Sequence, residues 1–173
     1  MLLLEQLAAT DIETAQTAMQ DGTVYYVPES QHNRLKDFLI SVARQTLGIP
    51  YKFGSNTFMR TDCSGYVQNV FSLMGLQLPR SAREQFNIGE PVDRKALSLG
   101  DLVFFRTYAP FPSHVGIYLG NNLFIHASTF AKKVTIDSLN MPYYVKRFLG
   151  AKRLPVDGTD FTGLREPSKE NIR

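Results

Sequence analysis

The sequence predicts an α+β domain in which helices pack on one antiparallel sheet. Apolar residues recur at helical spacing before Gly100, whereas short β-rich segments separated by turn residues follow it. The chain has 173 residues and a hydrophobic content of 43%, which suits one compact domain with some terminal extension. Helices first and strands afterwards is the order typical of this class.

Two helices are predicted before residue 50. The apolar stripe over residues 4–19 indicates a helix that ends at Asp21-Gly22, and residues 23–27 form a short β-type run. A stronger stripe follows over residues 35–47, where Gly48 is placed to end the helix.

A loop over residues 51–61 separates these helices from the next one, which begins near Cys63 and ends at Gly75. Ser81 and Glu84 have the spacing of a capping box, in which each side chain bonds the other residue's backbone N–H. A short helix is therefore expected from Ser81 to about residue 88.

The second half of the chain is predicted to form the sheet. Its β-rich segments are residues 102–106, 115–119, 123–128, 133–136 and 148–152. We place the domain at residues 31–154, after an N-terminal extension (residues 1–30) of one helix and a short strand. Residues 155–173 are polar and form a loosely attached tail.

Composition narrows the class of protein. Nineteen Lys and Arg against 16 Asp and Glu give a net charge of only +3, and the basic residues are scattered. This pattern tolerates an anionic surface but lacks the dense basic patch of a nucleic-acid-binding protein.

Leu2-Leu3-Leu4 is too short for a signal sequence or a transmembrane segment. Either the protein starts inside the cell or the numbering begins after a removed leader.

Cys63 is the only cysteine, so no intramolecular disulfide forms. A free thiol fits a cytoplasmic protein and a periplasmic thiol enzyme equally well. Its position in the first turn of a helix, capped by Asp62, is expected to lower its pKa and favour the nucleophilic thiolate. Gly65 permits another segment or a substrate to approach closely. The alternative is a small buried apolar residue.

A nucleophilic cysteine needs a base, and the chain has three histidines. His32 lies in a polar stretch and is expected at the surface. His114 and His126 flank a predicted hairpin that turns near Asn121-Asn122. A two-residue turn places them on opposite faces, whereas a three-residue loop or an equivalent bulge makes them diagonal neighbours about 7–8 Å apart or less. A shared site requires the second case, with the common face turned toward the helix of Cys63. Otherwise both are ordinary strand residues.

A zinc site is a rival interpretation, with Cys63, His114 and His126 as three ligands and water as the fourth. The spacing of these residues matches neither CxxC nor HxxxH. We therefore expect no metal and no cofactor.

Residues 47–152 resemble the NlpC-type branch of the papain-like cysteine peptidases, which are bacterial cell-wall endopeptidases. The resemblance is carried by motifs in the family's order: LGIPYKFG from Leu47, DCSGYV from Asp62, LPRSAREQ from Leu78, GDLVFF from Gly100, HVGIYLG from His114 and FIHAS from Phe124, with GAKR from Gly150 as the closing strand. One departure is Ser55 after Gly54, where the family often has a second glycine.

The resemblance implies a papain-like core, in which the helix bearing the nucleophile packs on a five- to six-stranded antiparallel sheet. It implies hydrolysis of the γ-D-glutamyl–diamino acid bond of peptidoglycan peptides in the cell envelope. Cys63 then corresponds to the nucleophile, His114 to the general base and His126 to the residue that orients it. The positions that correspond to the substrate cleft are Tyr51, which is also placed to hold the oxyanion, Asp62 and Ser64.

Three alternatives share this resemblance. The first alternative is a catalytically silent binding module of the cell envelope. The other two use the same nucleophile, either as an amidase or as an acyltransferase on a substrate other than peptidoglycan. A binding module has no need for the Cys63–His114–His126 set. We expect a monomer.

Overall fold

The computed structural model describes residues 19–20, 23–24 and 29–155, with side chains from residue 34 onward. Strands β1 (Met19–Gln20) and β2 (Thr23–Val24) pair antiparallel. Most of the predicted helix over residues 4–19 lies outside the described residues, but its extension through Met19 and Gln20 is wrong, because both residues lie in β1. Asp-Gly, interpreted here as a helix end, is also the dipeptide that tight hairpin turns favour.

Three helices precede the main sheet: α1 (Glu29–Thr46), α2 (Cys63–Ser72) and the short α3 (Ala82–Gln85). Asp62 caps α2 as predicted, accepting a hydrogen bond from the Gly65 N–H at 2.8 Å. The capping box of Ser81 and Glu84 is present at the start of α3. This helix is shorter than predicted.

Six strands form the main sheet: β3 (Glu90–Val92), β4 (Leu102–Phe105), β5 (His114–Gly120), β6 (Leu123–Ser128), β7 (Lys133–Ser138) and β8 (Phe148–Arg153), with the short helix α4 (Pro142–Val145) before the last. Their order is β3-β8-β4-β5-β6-β7, and every neighbouring pair is antiparallel. The predicted α+β class is confirmed.

Strand β3 was not predicted. Its sequence is only Glu-Pro-Val, and two of its residues are exposed. A proline is tolerated there because β3 pairs only with β8, at the edge of the sheet. Nothing local to these residues indicates a strand, since the pairing depends on a partner some sixty positions later in the sequence.

Both faces of the sheet are buried, because successive side chains of a strand point to opposite sides. Val115, Ile117 and Leu119 of β5 join the apolar cluster formed with α1 and α2. Tyr118 of the same strand packs in the second cluster, together with Phe124 and other aromatic residues. The described part of the chain contains no helix with the length and apolarity needed to cross a membrane.

Candidate active site

Cys63 is the first residue of α2 and lies where this helix meets the beginning of β5. Its side chain is largely buried, and its Sγ lies 4.0 Å from the carbonyl oxygen of Ser113. Cys63 and His114 both line an open cleft of about 370 Å³. The start of α2 therefore places the Cys63 thiol at the end of the sheet where His114 lies.

The expected lowering of the thiol pKa is wrong. Burial raises the pKa of Cys63 to about 11, and the neighbouring Asp62 carboxylate raises it further. The backbone N–H groups of Val115, Ser64 and Cys63 itself oppose these effects. The helix N-terminus does favour the thiolate, but removal from water costs the charged form more. The resting thiol is therefore protonated at neutral pH.

The hairpin of β5 and β6 contains the bulge that a shared site requires. Asn121 and Asn122, both with positive φ, form a two-residue turn that pairs Gly120 with Leu123. The register then shifts, so that Tyr118 pairs with Phe124. The bulge reverses the effect of the even-length turn and returns both histidines to one face.

His114 and His126 are in direct contact. The Nε2 of His114 lies 2.7 Å from the Nδ1 of His126, and both rings are buried. The expectation that their shared face turns toward α2 is wrong. His114 alternates with Val115 along β5, and His126 alternates with Ile125 and Ala127 along β6; these apolar residues face the helices. The His126 ring packs on Phe124 and Tyr144 instead. His114 reaches the cleft because it is the first residue of β5.

Two further residues hold His126. Its Nε2 lies 2.9 Å from the Oδ2 of Asp137 in β7, and the Tyr144 hydroxyl donates to the same oxygen at 2.9 Å. Sequence reasoning missed both, although Lys133, Thr135 and Asp137 form a polar alternation that would have extended the predicted strand. Thr135 pairs with His126, so Asp137 is its diagonal neighbour.

Burial dominates the titration of both histidines. It lowers the pKa of His114 well below the usual value, and the neighbouring His126 lowers it further. Burial also lowers the pKa of His126, against the opposing hydrogen bond and charge of Asp137. The hydrogen bond from His126 lowers the pKa of Asp137, and that from Tyr144 adds to this effect. At neutral pH both imidazoles are neutral and the carboxylate is ionised.

Asp62 is held by a dense set of donors beside Cys63. Arg80 binds it with both terminal nitrogens, at 3.0 Å and 2.7 Å, and the Gly54 N–H donates to Oδ2 at 2.9 Å. Ser64 accepts from the same guanidinium at 3.0 Å. Arg80 lies in the LPRSAREQ motif but is not predicted from the sequence as a site residue. The structure brings Asp62, Ser64 and Arg80 together on one wall of the cleft.

Tyr51 also lines the cleft and is half-buried. Burial raises its pKa to about 12, and the nearby Cys63 and Asp62 add to this effect. Its hydroxyl therefore keeps its proton at working pH and remains a hydrogen-bond donor.

His32, in α1, is outside the residues whose side chains are described. Within the described ranges, no group of three or more His, Cys, Asp or Glu side chains is placed to hold a metal ion. The ring nitrogens of His126 are both in contact with protein groups, His114 on one side and Asp137 on the other.

Gly116 is expected to be essential for bringing the two histidines together. A Cβ on this residue would lie 2.7 Å from the Phe124 ring, 3.0 Å from the Ile125 carbonyl oxygen and 3.1 Å from the His126 Cβ. Gly116→Ala is therefore expected to lower the free energy of unfolding by about 1–3 kcal/mol and to reduce activity. Urea unfolding checks the first effect. Gly150→Ala, whose Cβ would make ordinary contacts of 3.4 Å and 3.7 Å with Phe86, is the control; equal stability of the two variants would contradict this account.

A family model described as the NlpC/P60 family matches residues 48–153. The murein DD-endopeptidase MepS/murein LD-carboxypeptidase of Escherichia coli is 48% identical over 108 residues, which cover 62% of this chain and 56% of that protein. A probable endopeptidase NlpC homolog of Haemophilus influenzae is 41% identical over 117 residues, 67% of this chain and 61% of its own length. The chain thus matches little more than half of these relatives.

Solved structures show the same fold. An NlpC/P60 family protein from Bacillus cereus superposes with a TM-score of 0.64 at 31% identity, covering 77% of this chain and 44% of that one. The peptidoglycan hydrolase RipB of Mycobacterium tuberculosis superposes with a TM-score of 0.60 at 28% identity, covering 73% and 68%. Because this family model matches residues 48–153, more than half of the chain, the chain belongs to the NlpC/P60 family.

Proposed function

We propose that the chain is a cysteine endopeptidase that hydrolyses the γ-D-glutamyl–diamino acid bond of peptidoglycan stem or cross-link peptides. The observation that carries this proposal is the thiol of Cys63 in one cleft with His114, which in turn contacts His126. A relative in Bacillus cereus, 33% identical over 135 residues, is a γ-D-glutamyl-L-lysine dipeptidyl-peptidase. The name of this relative supports the γ-D-glutamyl–diamino acid bond as the one that is cleaved.

A second candidate bond comes from the Escherichia coli relative, whose name assigns it DD-endopeptidase and LD-carboxypeptidase activity. Both reactions are acyl transfer at a peptide carbonyl, so the same nucleophile and base serve either one. The two candidates differ in which carbonyl of the peptide lies over Cys63.

The proposed mechanism begins with a neutral pair. As the Cys63 sulfur attacks the carbonyl carbon, its proton passes to the ring nitrogen of His114 that His126 does not occupy. His114 then donates this proton to the leaving amine, which departs and leaves a thioester on Cys63. Water then loses a proton to His114 and attacks the thioester, the C–S bond breaks to release the acid, and His114 returns the proton to the Cys63 sulfur. A protonated thiol in the resting state suits this order, because the charge develops only when substrate has displaced water from the cleft.

The tetrahedral oxyanion needs hydrogen-bond donors that are already oriented. Backbone N–H groups at the start of α2 serve this purpose, and the Tyr51 hydroxyl is the side-chain candidate, since its pKa of about 12 keeps it protonated. Asp62 and Ser64 are proposed to bind the peptide. Asp62 would attract a free amino group at the end of a stem peptide, an attraction that Arg80 weakens by neutralising the carboxylate.

We place the activity in the cell envelope, where peptidoglycan is found, and propose a monomer that needs no metal or cofactor. Peptidoglycan peptides are the proposed partner. A mild net charge of +3 is compatible with the anionic wall.

Digestion of purified peptidoglycan, followed by mass analysis of the fragments, tests the proposed function. Fragments ending in γ-D-glutamate are expected. New fragments ending in D-alanine, or stems ending in the diamino acid after loss of a terminal D-alanine, would instead assign the second candidate. No new fragments of either kind would overturn the peptidase assignment and favour an amidase, an acyltransferase or a binding module. Parallel digestion of a stem tripeptide with a free and with an acetylated amino end tests Asp62: equal rates would dismiss its role in amine binding.

A further inference from the structure

Asp137 takes no direct part in the proposed mechanism, but it forms a hydrogen bond with His126, which in turn contacts the proposed base His114. Its Oδ2 lies 2.9 Å from the Nε2 of His126 and accepts the Tyr144 hydroxyl at 2.9 Å. The His126 ring is buried on all sides, whereas the carboxyl is about one quarter exposed. The four groups form one line, from His114 on β5 through His126 on β6 to Asp137 on β7 and Tyr144 on α4.

The chemistry of the carboxylate decides where the protons sit along this line. An ionised carboxylate offers only acceptors, so the Nε2 of His126 must carry a hydrogen and donate it to Asp137. A neutral imidazole has one N–H, so the Nδ1 of His126 is then an acceptor. The 2.7 Å contact with His114 consequently requires a hydrogen on the Nε2 of His114. The Nδ1 of His114 is left with a free lone pair.

We propose that Asp137 is a positioning residue that selects the tautomers of both histidines, so that His114 presents an unprotonated Nδ1 to the thiol of Cys63. The inference rests on the proposed function of this site. Two opposite arrangements of the hydrogens satisfy the contact between the rings, and only one of them gives a base. In the other, the Nδ1 of His114 already holds a hydrogen and has no lone pair to receive the proton of the thiol.

Tyr144 supports this selection from the other side of the carboxylate. Burial and the charge of Asp137 raise the pKa of its hydroxyl, so this group stays protonated and donates. A second donor on Oδ2 holds the carboxyl group in place and favours its ionised form. Removing Tyr144 leaves the acceptor itself intact, so its loss is expected to matter less than the loss of Asp137.

The arrangement also explains why a histidine stands between the carboxylate and the base. When the proton of Cys63 arrives on His114, the imidazolium keeps its Nε2–H on His126, and Asp137 remains ionised. The carboxylate attracts this positive charge through one intervening ring. A carboxylate in direct contact would stabilise the imidazolium more strongly and hold His114 protonated before substrate arrives.

Nuclear magnetic resonance of protein labelled with ¹⁵N-histidine tests the inference without any substrate. Long-range ¹H–¹⁵N correlations distinguish the Nε2–H from the Nδ1–H tautomer, and the chain has only three histidines to assign. Both His114 and His126 are expected as Nε2–H in the native protein. Asp137→Ala is expected to give mixed tautomers and to lower kcat on the peptidoglycan peptide about 10- to 100-fold with little change in KM.

Two further variants separate positioning from folding. Asp137→Asn keeps the shape of the side chain without its charge, and it is used if Asp137→Ala does not fold; Tyr144→Phe is expected to keep both tautomers and lose less activity. Asp93→Asn, at an exposed aspartate whose side chain makes no capping bond, is the matched control. A native His114 with Nδ1–H, or unchanged tautomers and kcat in a folded Asp137 variant, would overturn the proposal. If no variant or native protein cleaves peptidoglycan, the proposed function fails, and the tautomers still decide the role of Asp137.

Discussion

Cys63→Ala is expected to abolish peptidoglycan hydrolysis, with a fall in kcat of at least about 10⁴-fold. Alanine carries no nucleophilic group, and the chain has no other thiol that could replace Cys63. The substitution removes one buried sulfur and leaves α2 and its Asp62 cap intact. Binding of a stem peptide to the inactive variant is therefore expected to persist, as measured by calorimetry.

Ser72→Ala is the matched control for this substitution, since Ser72 lies on the same helix and its hydroxyl donates only to the Asn69 carbonyl within that helix. Native activity is expected for the control, and both variants should unfold at similar urea concentrations. Hydrolysis by a correctly folded Cys63→Ala at more than a hundredth of the native rate would exclude Cys63 as the nucleophile.

His114→Ala is expected to lower kcat by about 10²–10⁴-fold, the usual contribution of general acid–base catalysis. The loss follows from the neutral resting pair: a thiol whose pKa is about 11 ionises too rarely at neutral pH to attack without a base. The double variant of Cys63 and His114 is expected to be no less active than Cys63→Ala alone, because the two groups act in one step. Steady-state kinetics of the three variants measures this.

His32→Ala is the control for histidine loss, and unchanged kinetics are expected. Removing the His114 ring also leaves the buried Nδ1 of His126 without its partner, which costs about 1–3 kcal/mol of stability. Unfolding curves must therefore accompany the kinetics. A folded His114→Ala with native kcat would show that another group takes the proton from Cys63.

The fold was largely predictable because its signals are local. The helical stripe before Cys63, the capping box of Ser81 and the alternating strands after Gly100 all depend on neighbours within a few residues. Strand β3 was missed for the opposite reason, since its only partner is β8. The same limit applies to Asp137, whose relation to His126 depends on the register of β7 on β6.

The relative position of His114 and His126 in their hairpin was partly predictable from the sequence. Counting residues established that His114 and His126 meet only with an odd loop or a bulge, and the structure contains the bulge next to Gly120. The direction of their shared face was also readable, because Val115, Ile117 and Leu119 are the apolar set that must pack on the helices. The histidines alternate with them and so lie on the opposite face.

The amino-acid sequence was enough to predict the fold class, the order of most elements from residue 35 onward, the family through its ordered motifs and the identity of the thiol and imidazoles. These follow from periodicity and residue type, which the chain carries locally. The protonation of Cys63, the pairing of Asp62 with Arg80 and the hydrogen-bonded series from His114 to Tyr144 emerged only from the folded chain. Burial and hydrogen bonding between distant segments determine these properties, because a pKa depends on what surrounds a group in space and not on its neighbours along the chain.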